Sequence, residues 1–152
     1  MDIIDIKILN LLSSNARMSA SEISGKINLS IPAVSDRLKK LDASGIIDKY
    51  TIIVNPKKIN KDLTVIMFIS LDSPKFINKF IETVQKEDEI LECNYLAGDY
   101  DYSLKIVTEN TGTLEKILNK IKGISGIKRT KTIVTLSTIK NSYSIMPTEA
   151  DL

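Results

Sequence analysis

The chain has 152 residues, enough for one large or two small domains, and its 43% hydrophobic and 26% charged residues are typical of a globular protein. A single cysteine, Cys93, and the absence of histidine exclude an internal disulfide, zinc sites built from these residues, and Ser-His-Asp or Cys-His catalysis. We therefore predict no metal, no cofactor and no catalytic residue, and we interpret Cys93 as a small buried residue of a strand.

The first 28 residues predict two helices. Four apolar residues near the start recur at the spacing of an amphipathic helix: Ile4, Ile8, Leu11 and Leu12. Further along, Ser19 and Glu22 have the spacing of a capping box, so a second helix should begin at Ala20. It should end near Asn28, which adopts the left-handed conformation at modest cost.

A third helix follows after a tight turn. Ser30 would cap it, Pro32 suits its first turn, and Gly45 lies where a left-handed residue would end it. Its apolar residues fall on one side, which should face a core: Ile31, Val34, Leu38 and Leu41. Two short helices joined in this way predict a helix-turn-helix, a unit that places its second helix in a DNA groove.

The other side of the third helix carries the candidate DNA-binding residues, which are Ser30, Pro32, Ala33, Asp36, Arg37, Lys39 and Lys40. Cationic groups there could contact phosphates or guanine edges, and a small residue permits close approach. Asp36 would repel phosphate unless it pairs with Lys40 or accepts a hydrogen bond from a cytosine amino group. The basic residues equally suit a solvated helix face. The formal charge, +3 on residues 1–60 and −1 on residues 61–152, favours DNA.

The next segment marks a domain boundary. Residues 46–56, IIDKYTIIVNP, contain two β-rich runs that predict a short wing or a strand leaving the domain, and residues 55–62 are polar and rich in turn residues. We therefore place a winged helix-turn-helix domain at residues 1–54, a linker at 55–62 and a second domain at 63–152.

The second domain alternates strand and helix patterns. The strands correspond to LTVIMFISLD, ILECNYLAG, YDYSLKIVTE and KRTKTIVTLSTIK, and the helices to KFINKFIETVQK and TLEKILNKIKG. The order β-α-β-β-α-β predicts a ferredoxin-like domain with two helices on one face of an antiparallel sheet, so the whole chain is α+β. Because LTVIMFISL is apolar on both sides, the other sheet face should be covered by a second subunit, and we predict at least a homodimer.

Neither a signal peptide nor a membrane span is apparent. Asp2 and Asp5 interrupt the apolar N-terminus, and the longest apolar run, Val65 to Ile69, is far too short to cross a bilayer. We expect a cytoplasmic protein without a membrane partner.

The order of several motifs resembles the Lrp/AsnC family of transcriptional regulators, also called feast/famine regulatory proteins. The motifs are D-x-K-I-L-N-L-L at 5–12, Asn15 with Arg17, L-S-I-P-A-V-S-D-R-L-K-K-L at 29–41, G-I-I-D-K-Y-T at 45–51, Asn55-Pro56 and G-D-Y-D-Y at 98–102. The resemblance implies an N-terminal domain that binds double-stranded DNA. It also implies a C-terminal domain that oligomerises and binds a small effector, often an amino acid, with dimers assembling into octamers.

The resemblance also implies an effector site near a loop of four residues: Gly98, Asp99, Tyr100 and Asp101. A glycine lets a backbone N–H approach a carboxylate, an aspartate can accept an ammonium group, and a tyrosine offers a ring and a hydroxyl. The same residues are also ordinary for a hairpin turn. The residues alone therefore leave both interpretations open.

The leading interpretation is a sequence-specific DNA-binding transcriptional regulator that responds to a small effector such as an amino acid. One alternative is an architectural DNA-binding protein without an effector, which the sequence does not distinguish from the first. A second is a tetrapyrrole-modifying enzyme subunit, because relatives with this layout include subunits of siroheme decarboxylase. The absence of histidine disfavours the enzyme.

Overall fold

The computed structural model describes all 152 residues, which form two compact units. The first unit comprises Met1–Ile53 together with Lys140–Leu152, and the second comprises Val54–Ile139. The division after Ile53 lies beside the predicted linker. The tail 140–152, which the sequence interpretation assigned to the second domain, belongs to the first unit. It contains only a short 3-10 turn, so no periodic pattern in its sequence could indicate where it packs.

The first unit contains three α-helices: α1 (Ile3–Ser14), α2 (Ala20–Ile27) and α3 (Ile31–Ala43). Each helix contributes to one small core, whose buried members are Ile8, Leu9, Ile23, Val34 and Leu41. The predicted residues Ile4, Leu11, Leu12 and Leu38 pack against this core and are partly buried. The amphipathic patterns therefore predicted the correct faces of the helices.

The predicted helix ends are confirmed. At the start of α2, the Ser19 hydroxyl accepts from the Glu22 N–H at 3.2 Å, and the Glu22 carboxylate accepts from the Ser19 N–H at 2.7 Å. Asn28 ends α2 with a φ of 55°, and Gly45 has a φ of 73° just after α3. Ser30 caps α3. Since the left-handed Asn28 reverses the chain direction, it sets the tight turn between α2 and α3, while Gly45 ends the turn after α3.

Two predictions for this unit are wrong in detail. Ile31 is 48% exposed rather than in the core, because it occupies the first turn of α3, at the edge of the core. Residues 46–55 form no strand in this chain. Their apolar side chains, which include Ile52, Ile53 and Val54, are exposed. A β-rich sequence forms a strand only when a partner strand satisfies its backbone groups, and none is present in this chain.

The second unit has the predicted β-α-β-β-α-β order. Its elements are β1 (Leu63–Leu71), α4 (Ile77–Gln85), β2 (Ile90–Tyr95), β3 (Tyr102–Thr108), α5 (Thr111–Lys122) and β4 (Ile127–Val134). The strands form one antiparallel sheet in the order β2-β3-β1-β4. No α-helix of the chain is long and apolar enough to cross a membrane.

The two sheet faces differ in what covers them. Val65, Met67 and Ile69 of β1 are fully buried in a core that also contains Phe80 of α4 and Ile121 of α5. Alternate residues of a strand point to opposite faces, so Ile66 and Phe68 of β1 lie on the other face, beside Ile133 of β4. Ile66 and Phe68 are only half-buried and Ile133 is exposed. Within this chain, no helix or strand covers that apolar face.

The predicted burial of Cys93 is wrong. Cys93 lies on β2, which is an edge strand, and its side chain is exposed. Its direct neighbour Leu104 is fully buried on the helix-covered side of β3. The two helices therefore cover the centre of the sheet and leave its β2 edge open.

Gly126, just before β4, is expected to be the least replaceable glycine. Its φ of 90° disfavours any side chain, and a Cβ atom would lie 2.1 Å from the Phe76 ring. We expect Gly126→Ala to lower the free energy of unfolding by about 2–4 kcal/mol, from backbone strain and overpacking together. Urea denaturation measures the loss. Gly98→Ala is the control, because a Cβ there meets nothing within 4 Å. Equal stability of the two variants would contradict this account.

Candidate functional site

The exposed face of α3 presents the predicted DNA-binding residues on a helix whose start is well defined. The Ser30 hydroxyl accepts from the Ala33 N–H at 3.4 Å, and Pro32 occupies the first turn, where its missing N–H costs no hydrogen bond. Ser30 and Pro32 are exposed and Ala33 is half-buried. The N-terminal end of α3 is therefore accessible, with the small side chains of Ser30 and Ala33 beside the exposed Ile31.

Two cations on this face are unpaired. Lys39 and Lys40 are exposed, and neither lies within 4.0 Å of a carboxylate. The pair that the sequence suggested between Asp36 and Lys40 does not form, and Asp36 is also exposed. The face thus offers two free ammonium groups and one free carboxylate, a mixture that can contact phosphate and also accept from a base.

Arg37 is placed differently from the two lysines. Its Nη1 atom donates to the Asp2 carboxylate and to the Asp5 carboxylate, at 2.7 Å each. The Asp5 side chain is only 14% exposed and that of Arg37 27%. The two carboxylates raise the pKa of Arg37, Asp5 more than Asp2, so the guanidinium stays charged. Arg37 therefore joins α3 to the start of α1.

The candidate effector loop connects β2 to β3 and is held by backbone hydrogen bonds. The Leu96 N–H donates to the Asp101 carbonyl at 2.7 Å, and the Asp101 N–H donates to the Ile69 carbonyl at 2.9 Å. The Asp101 carboxylate accepts from the Leu71 N–H at 2.7 Å. Asp101 therefore ties the loop to the end of β1, and its carboxylate already has a partner.

Tyr100 lies in an aromatic and cationic cluster. Its ring centroid is 5.6 Å from that of Phe68, and the Arg129 guanidinium carbon lies 4.3 Å from the ring centroid. Arg129 also donates from Nη2 to the Asp99 carbonyl at 2.6 Å, and the Ser70 hydroxyl donates to the same oxygen at 3.4 Å. These contacts hold the backbone of the loop in place from β1 and β4.

The side chain of Asp99 and the backbone around Gly98 stay free. Both residues are exposed, and the Asp99 carboxylate makes no hydrogen bond or ion pair within the chain. Gly98 does not adopt a positive φ, so it is not needed to turn the chain, and the space around it is open. Of the two predicted aspartates, only Asp99 has a carboxylate available for a ligand.

Sequence reasoning missed Arg129. It lies 30 residues after Asp99, and it reaches the loop because β4 pairs with β1 so that Arg129 is opposite Ser70. No local pattern indicates this register. No group of three or more His, Cys, Asp or Glu residues is placed to hold a metal ion.

Comparisons with known proteins match the chain in two parts, of which the second extends to residue 145 and so includes the beginning of the tail 140–152. Residues 1–48 match a family model described as winged helix-turn-helix DNA-binding, and residues 64–145 match one described as the Lrp/AsnC ligand binding domain. The leucine-responsive regulatory protein of Escherichia coli K12 is 33% identical over 149 residues, which cover 96% of this chain and 91% of that protein. The protein of that name from Klebsiella pneumoniae is equally similar.

Solved structures give the same result. A transcriptional regulator from Neisseria meningitidis, solved as a complex with L-methionine, has a TM-score of 0.93 and 28% identity, covering 100% of this chain and 99% of that one. AsnC from E. coli has a TM-score of 0.88 and 28% identity, with 97% and 99% covered. LrpC from Bacillus subtilis has a TM-score of 0.84 and 32% identity, with 92% and 97% covered.

The capping carboxylates of the first unit predict how its stability depends on pH. The backbone N–H of Asp5, followed by Arg37, lowers the pKa of Asp2 from 3.8, and the backbone N–H and hydroxyl of Ser19 lower the pKa of Glu22 from 4.5. A lowered carboxyl pKa stabilises the folded state above the ordinary value, and this is lost as the pH falls through the lowered pKa. We expect thermal stability to fall below about pH 4.5.

Circular dichroism melts measured between about pH 6 and pH 2 test this expectation. The variant Asp2→Asn/Glu22→Gln keeps hydrogen-bond acceptors at both caps but cannot titrate there. Its melting temperature should fall less steeply with acid than that of the native protein. Identical acid dependence of the two proteins would contradict the assignment.

Proposed function

Because this chain belongs to the Lrp/AsnC family and is a DNA-binding transcriptional regulator, we propose that α3 is its DNA-reading helix and that a free α-amino acid bound at Asp99 controls DNA binding. The observation that supports the first part is the pair of exposed, unpaired ammonium groups of Lys39 and Lys40 on a capped helix. Such groups release counterions when they contact phosphates, which gives most of the affinity for DNA.

Two copies of the chain are needed for this function. The basic excess of residues 1–60 is only +3, so a single helix-turn-helix would bind DNA weakly. We propose a homodimer in which the apolar sheet face around Ile66, Phe68 and Ile133 is covered by a second copy, with dimers assembling further into an octamer. A dimer can place two α3 helices in successive turns of the major groove, about 34 Å apart, and thus bind a pseudo-palindromic site.

The charges around the loop support an amino acid as the effector. An α-amino acid carries an ammonium and a carboxylate on one carbon. The free Asp99 carboxylate can accept the ammonium group, while the exposed Arg129 uses one nitrogen for the Asp99 carbonyl and keeps other N–H groups for the ligand carboxylate. The open backbone at Gly98 can donate to the same carboxylate, and the Tyr100 ring can contact a ligand side chain.

The relatives support this ligand class. The regulator from N. meningitidis was solved with L-methionine, and residues 64–145 match a family model of ligand-binding domains. The curated relatives are regulators rather than enzymes, which supports a function in binding rather than catalysis. L-Methionine is therefore the first probe to use.

We expect the double variant Lys39→Ala/Lys40→Ala to bind duplex DNA more weakly and with a shallower salt dependence. Each lost phosphate contact should reduce the slope of log K against log salt by about 0.9. Fluorescence anisotropy with a labelled duplex at several salt concentrations measures both quantities. Lys116→Ala, an exposed and unpaired lysine of α5, is the matched control. Unchanged slopes in the double variant would contradict the assignment of this face.

We expect L-methionine to raise the melting temperature of the native protein, because a ligand that binds only the folded state stabilises it. Asp99→Asn removes the charge that would hold the ammonium group, and should weaken binding about tenfold to a hundredfold in calorimetry. Asp88→Asn, another exposed aspartate, should bind as the native protein does. Gly98→Ala should lower affinity without loss of stability.

The same measurement separates effector control from an architectural function. If L-methionine gives no shift, the other nineteen standard amino acids follow. A native protein that binds DNA but responds to none of the twenty would contradict the amino-acid effector and favour the architectural alternative. Equal binding by Asp99→Asn and the native protein would contradict the proposed site while leaving the effector class in place.

A further inference from the structure

We propose that Arg37 is a positioning residue: it attaches the DNA-reading helix α3 to the start of α1 through Asp2 and Asp5, and leaves the phosphate contacts to Lys39 and Lys40. We call the three residues Arg37, Asp2 and Asp5 the Arg37 clamp. The proposal rests on the DNA-binding function and concerns how the helix that performs it is held.

The clamp connects distant parts of the chain through one atom. Nη1 of Arg37 donates to Asp2, 35 residues earlier, and to Asp5, 32 residues earlier, at 2.7 Å each. Both distances are those of strong charge-assisted hydrogen bonds. A guanidinium that projected into solvent to meet DNA would not have two carboxylates on the same nitrogen.

The carboxylates of the clamp are themselves held in place. Asp2 is the N-cap of α1, and its Oδ1 accepts from the N–H groups of Ile4 and Asp5 at 2.9 and 3.0 Å. Asp5 completes the capping box, because its Oδ2 accepts from the Asp2 N–H at 2.8 Å. One oxygen of each carboxylate thus caps α1, and the other accepts from Arg37. Since the capping box already orders both side chains, little additional conformational entropy is lost in binding Arg37.

The charges of the clamp also matter for DNA. Two carboxylates and one guanidinium leave a net charge of −1 beside Asp36 and Lys40, which line the same open depression on the unit. A phosphate would have to displace both carboxylates to reach Nη1 of Arg37. Without Arg37, two unpaired carboxylates would repel the DNA backbone instead. The clamp therefore both orients α3 and compensates one of the two negative charges at the start of α1.

The test uses the full-length protein and a duplex selected from a random pool by the native protein. The affinity for the selected duplex divided by that for a scrambled duplex is the specificity ratio. A ratio well above one for the native protein confirms sequence-specific DNA binding independently of the clamp. The variant Asp2→Asn/Asp5→Asn keeps amide oxygens for the capping box and removes only the ionic clamp. We expect its specificity ratio to fall about tenfold, because α3 is no longer held in register.

If Arg37 contacted DNA directly, the specificity ratio of this double variant would not fall. Removing the competing carboxylates would then free Arg37, and the ratio would rise or stay the same. Either result would overturn the proposal. If the double variant does not fold, as judged by its circular dichroism melt, Asp5→Asn alone keeps the N-cap and is expected to lower the ratio in the same direction.

A second comparison introduces Arg37→Gln into both the native protein and the double asparagine variant. In the native protein the substitution should lower the specificity ratio. In the asparagine background it should change neither the ratio nor the salt slope, because the clamp is already broken. The proposal would be overturned if Arg37→Gln lowered the specificity ratio equally in both backgrounds. It would also be overturned if the substitution reduced the slope of log K against log salt by about 0.9 in the asparagine background, because Arg37 would then contact phosphate. Lys40→Ala, which should lower the slope in both backgrounds, is the control.

Discussion

The second unit depends on the pairing of β1 with a strand on each of its edges. Because β3 and β4 both run antiparallel to it, every second residue of β1 enters the helix-covered core and the others form the apolar open face. The same pairing places the candidate effector loop. Asp101 hydrogen-bonds to Ile69 and Leu71 at the end of β1, and Arg129 arrives beside the loop from β4. A slip of one residue would exchange the two faces and remove Arg129 from Asp99.

The first unit shows how charge and capping work together in a small domain. The three short helices share a core of only five buried apolar residues, so the hydrogen bonds at the helix ends contribute a large share of the unit's stability. The capping boxes of α1 and α2 satisfy backbone N–H groups that the core cannot reach. At α1, the same carboxylates also bind Arg37. Helix α3 is thereby linked to the start of α1, while Lys39 and Lys40 stay unpaired.

The helices of this protein were predicted well from capping residues and periodicity. Contacts between residues far apart in the sequence were predicted poorly. The capping box of Ser19 and Glu22 lies within four residues, and the left-handed Asn28 depends on its own backbone, so both were visible in the sequence. The β-rich stretch around Ile52 was assigned to a wing or a strand, yet it has no partner strand and forms none. Cys93 was predicted to be buried because it lies in a strand. Its exposure follows from the position of β2 at the sheet edge, which depends on strand order.

The residues alone were enough to predict the order of the elements, the faces of the helices, and the placement of lysines on the outer side of α3. These follow from periodicity and capping, which act over a few residues. Which partners the charged residues contact depends instead on how the helices pack and how the strands pair. Arg37 and Lys40 lie three residues apart on one helix and look equivalent in the sequence, but only Arg37 meets the carboxylates of α1. Likewise, Asp101 is occupied by a backbone N–H of β1 and Asp99 is free. Helix packing and strand register bring together partners that lie tens of residues apart. Neither can be predicted from the residues near each partner.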